Sequence, residues 1–448
     1  MTCSSLPRGP KGKPILGHAL SLSGDALAFL QHSAVEYGDL VPLRFVGKPI
    51  LFVNQPEAIA QVLATNHQKV VKGISRRSDH ILLGDGISLS EGSTWRRERR
   101  LIQPAFHRDR LAAYGEDMVL VVERAVNGWR AGETRDICVE MSNLTLAIVG
   151  KTLLDIDAQG DASDLVGAVT YAMACRDAHA RSMSMLLPDG FPTPANLRSQ
   201  SARRHIDAIV QSVIDRRRTT GDDRSDLLST LLNARDEHGR ALPDEHLRNE
   251  VRTILVGGHE TVADLLSWTW YLLSQHPEVE AKLLAEFETA FGGRTPAASD
   301  LPCLPYAAMV ISEVLRLYPP ASVLTREAIA DFEIDGYLVP RGTEIVMSPW
   351  VVQRDSRYFS DPERFNPDRW TDGLASRLPH YAYFPFGGGP RLCIGKSFAT
   401  QETILVLAVI ARRFHLDLVP GHPVVPDPIP TLHPKFGLPM VIQRRPLP

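Results

Sequence analysis

The chain has 448 residues, of which 44% are hydrophobic and 23% charged, the proportions of an ordinary globular protein with a sizeable core, which sets aside wholesale disorder. Its formal net charge of −3 gives no sign of a nucleic-acid binder. The five cysteines, Cys3, Cys138, Cys175, Cys303 and Cys393, form no C-x-x-C pair and suit neither a disulfide framework nor a structural zinc site, so a reducing cytoplasm is expected.

Residues 1–24 form a lead-in rich in proline and glycine, with Arg8, Lys11 and Lys13 but no apolar run long enough for a signal or an anchor. Helical spacing follows over 25–37, then a hairpin of 41–45 and 49–53 about Gly47. From 56 to about 292 the pattern is almost wholly helical, over 56–64, 94–106, 108–129, 139–154, 164–185, 196–218, 244–274 and 277–291. The most apolar stretch, 251–273, is interrupted by His259, Glu260 and Asp264, which reads as a buried core helix rather than a membrane span. A helix over 306–317 precedes short β segments at 325–329, 332–334 and 344–348, a long irregular stretch over 352–390 and a last helix over 395–414. Helices thus dominate, with a minor β portion at the two ends of the chain. Ordered loops as long as 352–390 are usually functional, and this one leads into Cys393.

The strongest chemical signal is Phe384-Pro385-Phe386-Gly387-Gly388-Gly389-Pro390-Arg391-Leu392-Cys393-Ile394-Gly395. A metal-bound thiolate needs backbone N–H donors from a tight turn, which Gly387 to Gly389 permit. Cys393 also stands just before a helix start, where the dipole favours the thiolate. An isolated cysteine in an apolar setting is ordinarily an inert core residue; the phenylalanines, glycines, arginine and helix start together argue otherwise.

Phe386-x-x-Gly389-x-Arg391-x-Cys393-x-Gly395 resembles the haem-binding signature of the cytochrome P450 family, and further motifs follow in that family's order. Glu313-Val314-Leu315-Arg316 resembles its E-x-x-R pair, and Pro362-Glu363-Arg364-Phe365 its meander arginine motif. Gly257-Gly258-His259-Glu260-Thr261 resembles the oxygen-activation segment, and Trp95-Arg96-Arg97-Glu98-Arg99 the W-x-x-x-R of the helix beside the haem propionates. The resemblance implies the mainly helical cytochrome P450 fold, a single haem domain over 25–448 with a small β region, and Cys393 as axial ligand to the iron of haem b. It implies catalytic roles for Glu260 and Thr261, propionate contacts from Trp95, Arg99, Arg326 and Arg391, and a structural role for Glu313 and Arg316, buried together with Arg364.

The residues carry readings of their own. Glu313 and Arg316 share a helix face, a geometry that contributes only about 0.2–0.5 kcal/mol when exposed. Gly257 and Gly258 each weaken a helix by about 1 kcal/mol relative to alanine, which points to close approach of something bulky or to helix–helix packing. His259 reads as a hydrogen-bonded polar side chain rather than a metal ligand. Trp95 and Arg99 share one face and Arg96 and Arg100 a neighbouring one; such a basic run is ordinarily a solvated surface, and it is the family resemblance that implies an acidic redox partner for Arg96, Arg97 and Arg100.

The expected activity is insertion of one oxygen atom from O2 into a hydrophobic small molecule, terpenoid, fatty acyl or polyketide-like, with haem supplying the chemistry. The chain runs only about fifty residues beyond Cys393, so electrons are expected from a separate ferredoxin and its reductase. By analogy the pocket draws on Ile87, Leu89, the 173–187 segment, Gly257, Gly258, Val323, Leu324 and Phe436. A peroxide-using or rearranging haem-thiolate enzyme and a non-enzymatic haem sensor are the alternatives; the Glu260-Thr261 pair argues against both.

Overall fold

Long runs of apolar residues at helical spacing produce the elements expected of them. The computed structural model describes residues 7–156, 161–182, 187, 190–224, 226–235 and 239–445. The first six residues of the lead-in, and 183–186 of the expected pocket segment, lie outside the described residues. The chain divides into two compact units, one of Met1–Ser78 with Leu315–Cys393, the other of Asp79–Val314 with Ile394–Pro448.

The larger unit is helical. Its longest element, Asp244–Gln275, has 32 residues and therefore spans about 48 Å. It is buried on nearly every side, as its apolar residues require, and packs against Ile137–Leu154, Pro194–Thr220 and Lys396–Ala411. Ile137–Leu154 is, among the described residues, the helix long and apolar enough to cross a membrane, and most of it is buried within this unit. Pro194–Thr220 starts at proline after a Thr193 cap and stops at Gly221, whose φ of 66° suits the left-handed C-terminal turn.

The β portion is not confined to the chain ends. Thr134–Asp136 pairs antiparallel with Pro439–Arg444, which also pairs with Phe414–Leu418. Three residues are too few to show the alternation that reveals a strand. Leu227–Asn233, a two-turn helix capped by Asp226, is likewise an element with no periodic signal of its own.

The smaller unit is built on a five-stranded sheet ordered Leu40–Phe45, Lys48–Val53, Glu344–Met347, Leu324–Ala328, Val70–Lys72. Lys48–Val53 and Glu344–Met347 run parallel, with Phe52 opposite Val346; the other pairs are antiparallel. Alternate residues serve opposite faces: Leu51, Val53, Ile345 and Met347 enter one apolar cluster, and Ile50, Phe52 and Val346 another. The 352–390 stretch is ordered by short turns of helix, including Pro349–Val352, Pro367–Gly373 and Leu374–Arg377.

Polar side chains inside this unit fix that stretch. Arg316, fully buried near the end of Pro305–Leu317, donates to the carbonyls of Gln353 at 2.9 Å, Pro362 at 2.6 Å and Arg364 at 3.1 Å. Glu313, earlier on the same helix and counted with the larger unit, is also fully buried. Arg364 departs from expectation: its side chain is exposed, and it holds Arg316 through its carbonyl rather than its guanidinium. A carbonyl accepts the same hydrogen bond whatever side chain the residue bears, so the motif arginine is not the group Arg316 reads.

Replacing Arg316 by alanine strips three backbone carbonyls, that of Gln353 buried and those of Pro362 and Arg364 partly so, of a charged donor and leaves buried Glu313 without that cation, which should cost about 3–5 kcal/mol. Denaturant unfolding of purified Arg316→Ala checks this; a midpoint within error of the parent would show that the guanidinium holds nothing.

Candidate functional site

In the smaller unit, the loop that ends at Cys393 is closed by backbone bonds: Gly387 N–H to the Phe384 carbonyl at 2.9 Å, Leu392 N–H to that of Gly389 at 3.1 Å, and Cys393 N–H to that of Phe386 at 3.0 Å. Gly387 and Gly389 take φ of 71° and 62°, which an L side chain rarely adopts. Space imposes a second demand. A Cβ on Gly388 would run into the Tyr381 ring, and one on Gly389 into the carbonyl of Leu63. The glycines therefore serve contact as much as turning.

Cys393 is exposed at the end of this loop, whereas Cys175 is buried and Cys138 mostly covered, its thiol pushed up to about 12 by burial. Among the described residues no group of three His, Cys, Asp or Glu could hold a metal ion. Cys303 is exposed as well, but only Cys393 stands on a glycine-lined loop, a setting that fits an iron whose other ligands belong to a macrocycle. Gly395 caps Lys396–Ala411, the helix that follows in the chain.

Gln353 ties this loop to its support, and no motif announces it. Its amide donates to the carbonyls of Leu315 and Arg316, both at 3.0 Å, while its oxygen accepts from Phe384 N–H at 3.0 Å. The side chain is fully buried with both ends used. Arg326 is also buried, on the inner strand Leu324–Ala328, and Arg391 is partly buried. Val323 and Leu324, expected to line the pocket, pack partly against the two sheet clusters.

In the larger unit, Asp244–Gln275 carries Glu260 and Thr261 at its centre. The two glycines there differ. A Cβ on Gly258 would meet Val149 of Ile137–Leu154 at 3.1 Å, so this glycine permits helix–helix packing; Gly257 is exposed, with nothing within 4 Å of such a Cβ. The open patch thus lies at Gly257, with Thr261 one turn on and partly exposed. Thr261 donates its hydroxyl proton to the Gly257 carbonyl at 2.9 Å, leaving its oxygen to accept. His259 is buried, its Nδ1 2.8 Å from the Leu255 carbonyl, and burial lowers its pKa, so it is a neutral, satisfied side chain.

Glu260 accepts a charge-assisted hydrogen bond from Arg176, a buried residue of Asp161–Ala180. Arg176 lies 84 residues away in sequence, beyond the reach of any spacing argument. Nearer the start of the same helix, Glu250 accepts from the N–H of Ile87 at 3.0 Å. Gly84 and Gly86 press against Asn249 and Thr253, so the loop bearing the buried Ile87 and Leu89 is fastened to the helix two turns before Gly257.

On Gly92–Ile102 the structure separates the basic residues. Arg96, Arg97 and Arg100 are exposed; Trp95 and Arg99 are partly buried; Glu98 is buried and accepts from Ser90. Phe436 is exposed beside Lys435, which lies 5.5 Å from its ring.

Residues 7–440 match the family described as "Cytochrome P450". The chain is 36% identical over 427 residues to cyclooctatin synthase of Streptomyces melanosporofaciens, covering 94% of this chain and 92% of that one. It is 38% identical over 418 residues to cyclooctat-9-en-7-ol 5-monooxygenase of the same organism, covering 92% and 90%, and 35% identical over 431 residues to pentalenene oxygenase of Streptomyces avermitilis, covering 95% of each. Among solved structures, the retinoic acid-bound cyanobacterial CYP120A1 superposes with a TM-score of 0.88 at 27% identity, covering 98% of this chain and 99% of that one. A cytochrome P450DA heme domain gives the same TM-score at 26% identity, covering 99% and 98%. The chain belongs to the cytochrome P450 family, has its fold, and is an oxidoreductase of the monooxygenase class.

Burial, reinforced by the charge of Glu98, pushes the Glu250 carboxyl up to about 8. A carboxyl raised on folding favours the native state below the ordinary carboxylate range and loses that contribution as pH rises through about 8. Stability of the parent should therefore fall between about pH 5 and about pH 8, on the order of a few kcal/mol, and Glu250→Gln should flatten the decline. Denaturant midpoints across this range decide; parallel declines in both proteins would exclude Glu250 as the source.

Proposed function

We propose that this cytochrome P450 is a haem b monooxygenase that hydroxylates an apolar terpenoid, with electrons from a ferredoxin and its reductase. The observation that carries the substrate class is the set of terpenoid-oxidising bacterial relatives at about 36% identity over nearly the whole chain. The buried apolar residues Ile87 and Leu89, fastened to the helix that exposes Gly257, agree with an apolar substrate. The catalytic domain is read as 25–448, working in the reducing cytoplasm, which five scattered cysteines without a C-x-x-C pair suit.

Haem, when bound, supplies dioxygen binding and oxygen-atom transfer, with the Cys393 thiolate as donor ligand. Trp95, Arg99, Arg326 and Arg391 would hold its propionates, and Phe386, Gly389 and Gly395 would shape the loop about the thiolate. Thr261, whose proton is held by the Gly257 carbonyl, presents oxygen lone pairs that orient a water, and Glu260 resupplies protons when it swings from Arg176. The exposed Arg96, Arg97 and Arg100 face an acidic ferredoxin and act on its rate of association.

Thr261→Ala removes the acceptor that orients the proton-bearing water, a placement worth about 10²- to 10⁴-fold in general acid catalysis. The variant should keep its haem, its carbon monoxide spectrum and its substrate-induced spectral shift with a cyclic terpene alcohol, but convert reductant mainly to hydrogen peroxide. Product and peroxide per reductant consumed measure this. Coupling equal to the parent would move proton delivery to other groups and favour a peroxide-dependent or rearranging enzyme.

A further inference from the structure

Glu260 belongs to a wider cluster of ionisable groups, all within the larger unit. Arg176 and Asp177 come from Asp161–Ala180, while Glu260 and Asp264 lie one turn apart on one face of Asp244–Gln275. The third wall is the segment of Thr431 and His433, which Trp268 ties to the helix by donating to the Leu432 carbonyl at 2.8 Å. The Thr431 side chain reaches the Asp264 carboxyl.

The cluster holds more carboxyls than cations. Arg176 faces Glu260, Asp177 and Asp79, and also acts on Asp264, so it cannot neutralise all four. His259 adds no charge, because burial keeps it neutral, and Cys138, on which the charge of Asp264 acts, keeps its thiol proton. Asp136 also acts on Cys138, whose backbone N–H donates to its carboxylate at 3.0 Å. Asp264 is buried, and its Oδ2 has no hydrogen-bond partner among the described residues; the same holds for Asp177 Oδ1 and Arg176 Nε. An ionised carboxylate so placed is costly, and a protonated one is not. Burial first, then the charge of Glu260, raises the Asp264 pKa well above the carboxylate range, and burial brings Asp177 to about 6.

The far side of the cluster reaches solvent. Arg181 is 44% exposed and donates to Asp427 at 2.8 Å and to the Ile429 carbonyl at 3.0 Å. His433, partly exposed, acts on Asp177, and its Nδ1 lies 2.8 Å from the Thr431 carbonyl.

We propose that Asp264 and Asp177 are positioning residues of a proton relay that opens to solvent beside His433 and ends at Glu260. One proton leaves the Asp264 carboxyl for the Glu260 carboxylate. Asp264 then recovers a proton from Asp177 through water, and Asp177 recovers its own from solvent; no electron moves. The unpartnered Asp264 Oδ2, Asp177 Oδ1 and Arg176 Nε are the sites at which water would bridge the steps. The relay rests on Glu260 serving dioxygen activation.

The test uses the full-length holoenzyme with Asp264→Asn, Asp177→Asn and Glu260→Gln. Infrared difference spectra at neutral pH, parent minus Asp264→Asn, should show a protonated-carboxyl band that shifts in heavy water, set apart from the bands that Glu250 and Glu402 contribute to both proteins. Asparagine mimics the neutral acid in shape, so haem content should hold. Both asparagine variants should consume reductant about tenfold more slowly, with a larger solvent deuterium isotope effect. Absence of such a band from the difference spectrum overturns the relay. So do parent-like rates and isotope effects in both asparagine variants while Glu260→Gln is slow. If Glu260→Gln also matches the parent, the role of Glu260 itself falls, and the relay with it.

Discussion

The Arg316 guanidinium, fully buried with three backbone carbonyls around it, is the interaction on which the cysteine loop depends. A guanidinium is always charged and cannot shed its proton to suit an apolar interior, so the chain must bring acceptors to it. Those acceptors are Gln353, Pro362 and Arg364, all in a stretch with little regular structure. Gln353 carries the constraint onward: one end of its amide reads the end of the Pro305–Leu317 helix, the other holds Phe384, where the glycine loop begins. A segment too irregular to be fixed by ladders is fixed by two polar side chains.

The second constraint is steric and lies in the glycines. Gly388 and Gly389 allow Tyr381 and the Leu63 carbonyl to close on the loop, so the backbone before Cys393 is clamped from two sides. In the larger unit the adjacent pair divides its work. Gly258 admits Val149, while Gly257 leaves the middle of an otherwise buried helix open, with its carbonyl holding the Thr261 proton. Thr145 of the neighbouring helix braces the same place by donating to the His259 carbonyl at 3.0 Å. The helix weakened by two glycines is thus supported beside Glu260 and Thr261.

What the sequence made legible was local. The spacing about Cys393, the E-x-x-R helix and the Gly257 to Thr261 run each lie within one turn or loop, and with the long helices they sufficed for the family. Partners far apart in the chain were not legible: Arg176 for Glu260, Glu250 for Ile87, and Gln353, whose contacts are to backbone. Val70–Lys72 and Thr134–Asp136 are strands only because longer strands accept them. Arg364 shows the converse, a motif side chain that stands exposed while its carbonyl does the holding.

The central claim is that Cys393, presented by this clamped loop, is the iron's thiolate ligand. The most direct measurement is the Soret spectrum of the dithionite-reduced protein under carbon monoxide, for the parent and for Cys393→Ala. Thiolate ligation predicts a strongly red-shifted band in the parent that vanishes in the variant. A Cys393→Ala protein that keeps the red-shifted band would contradict the account.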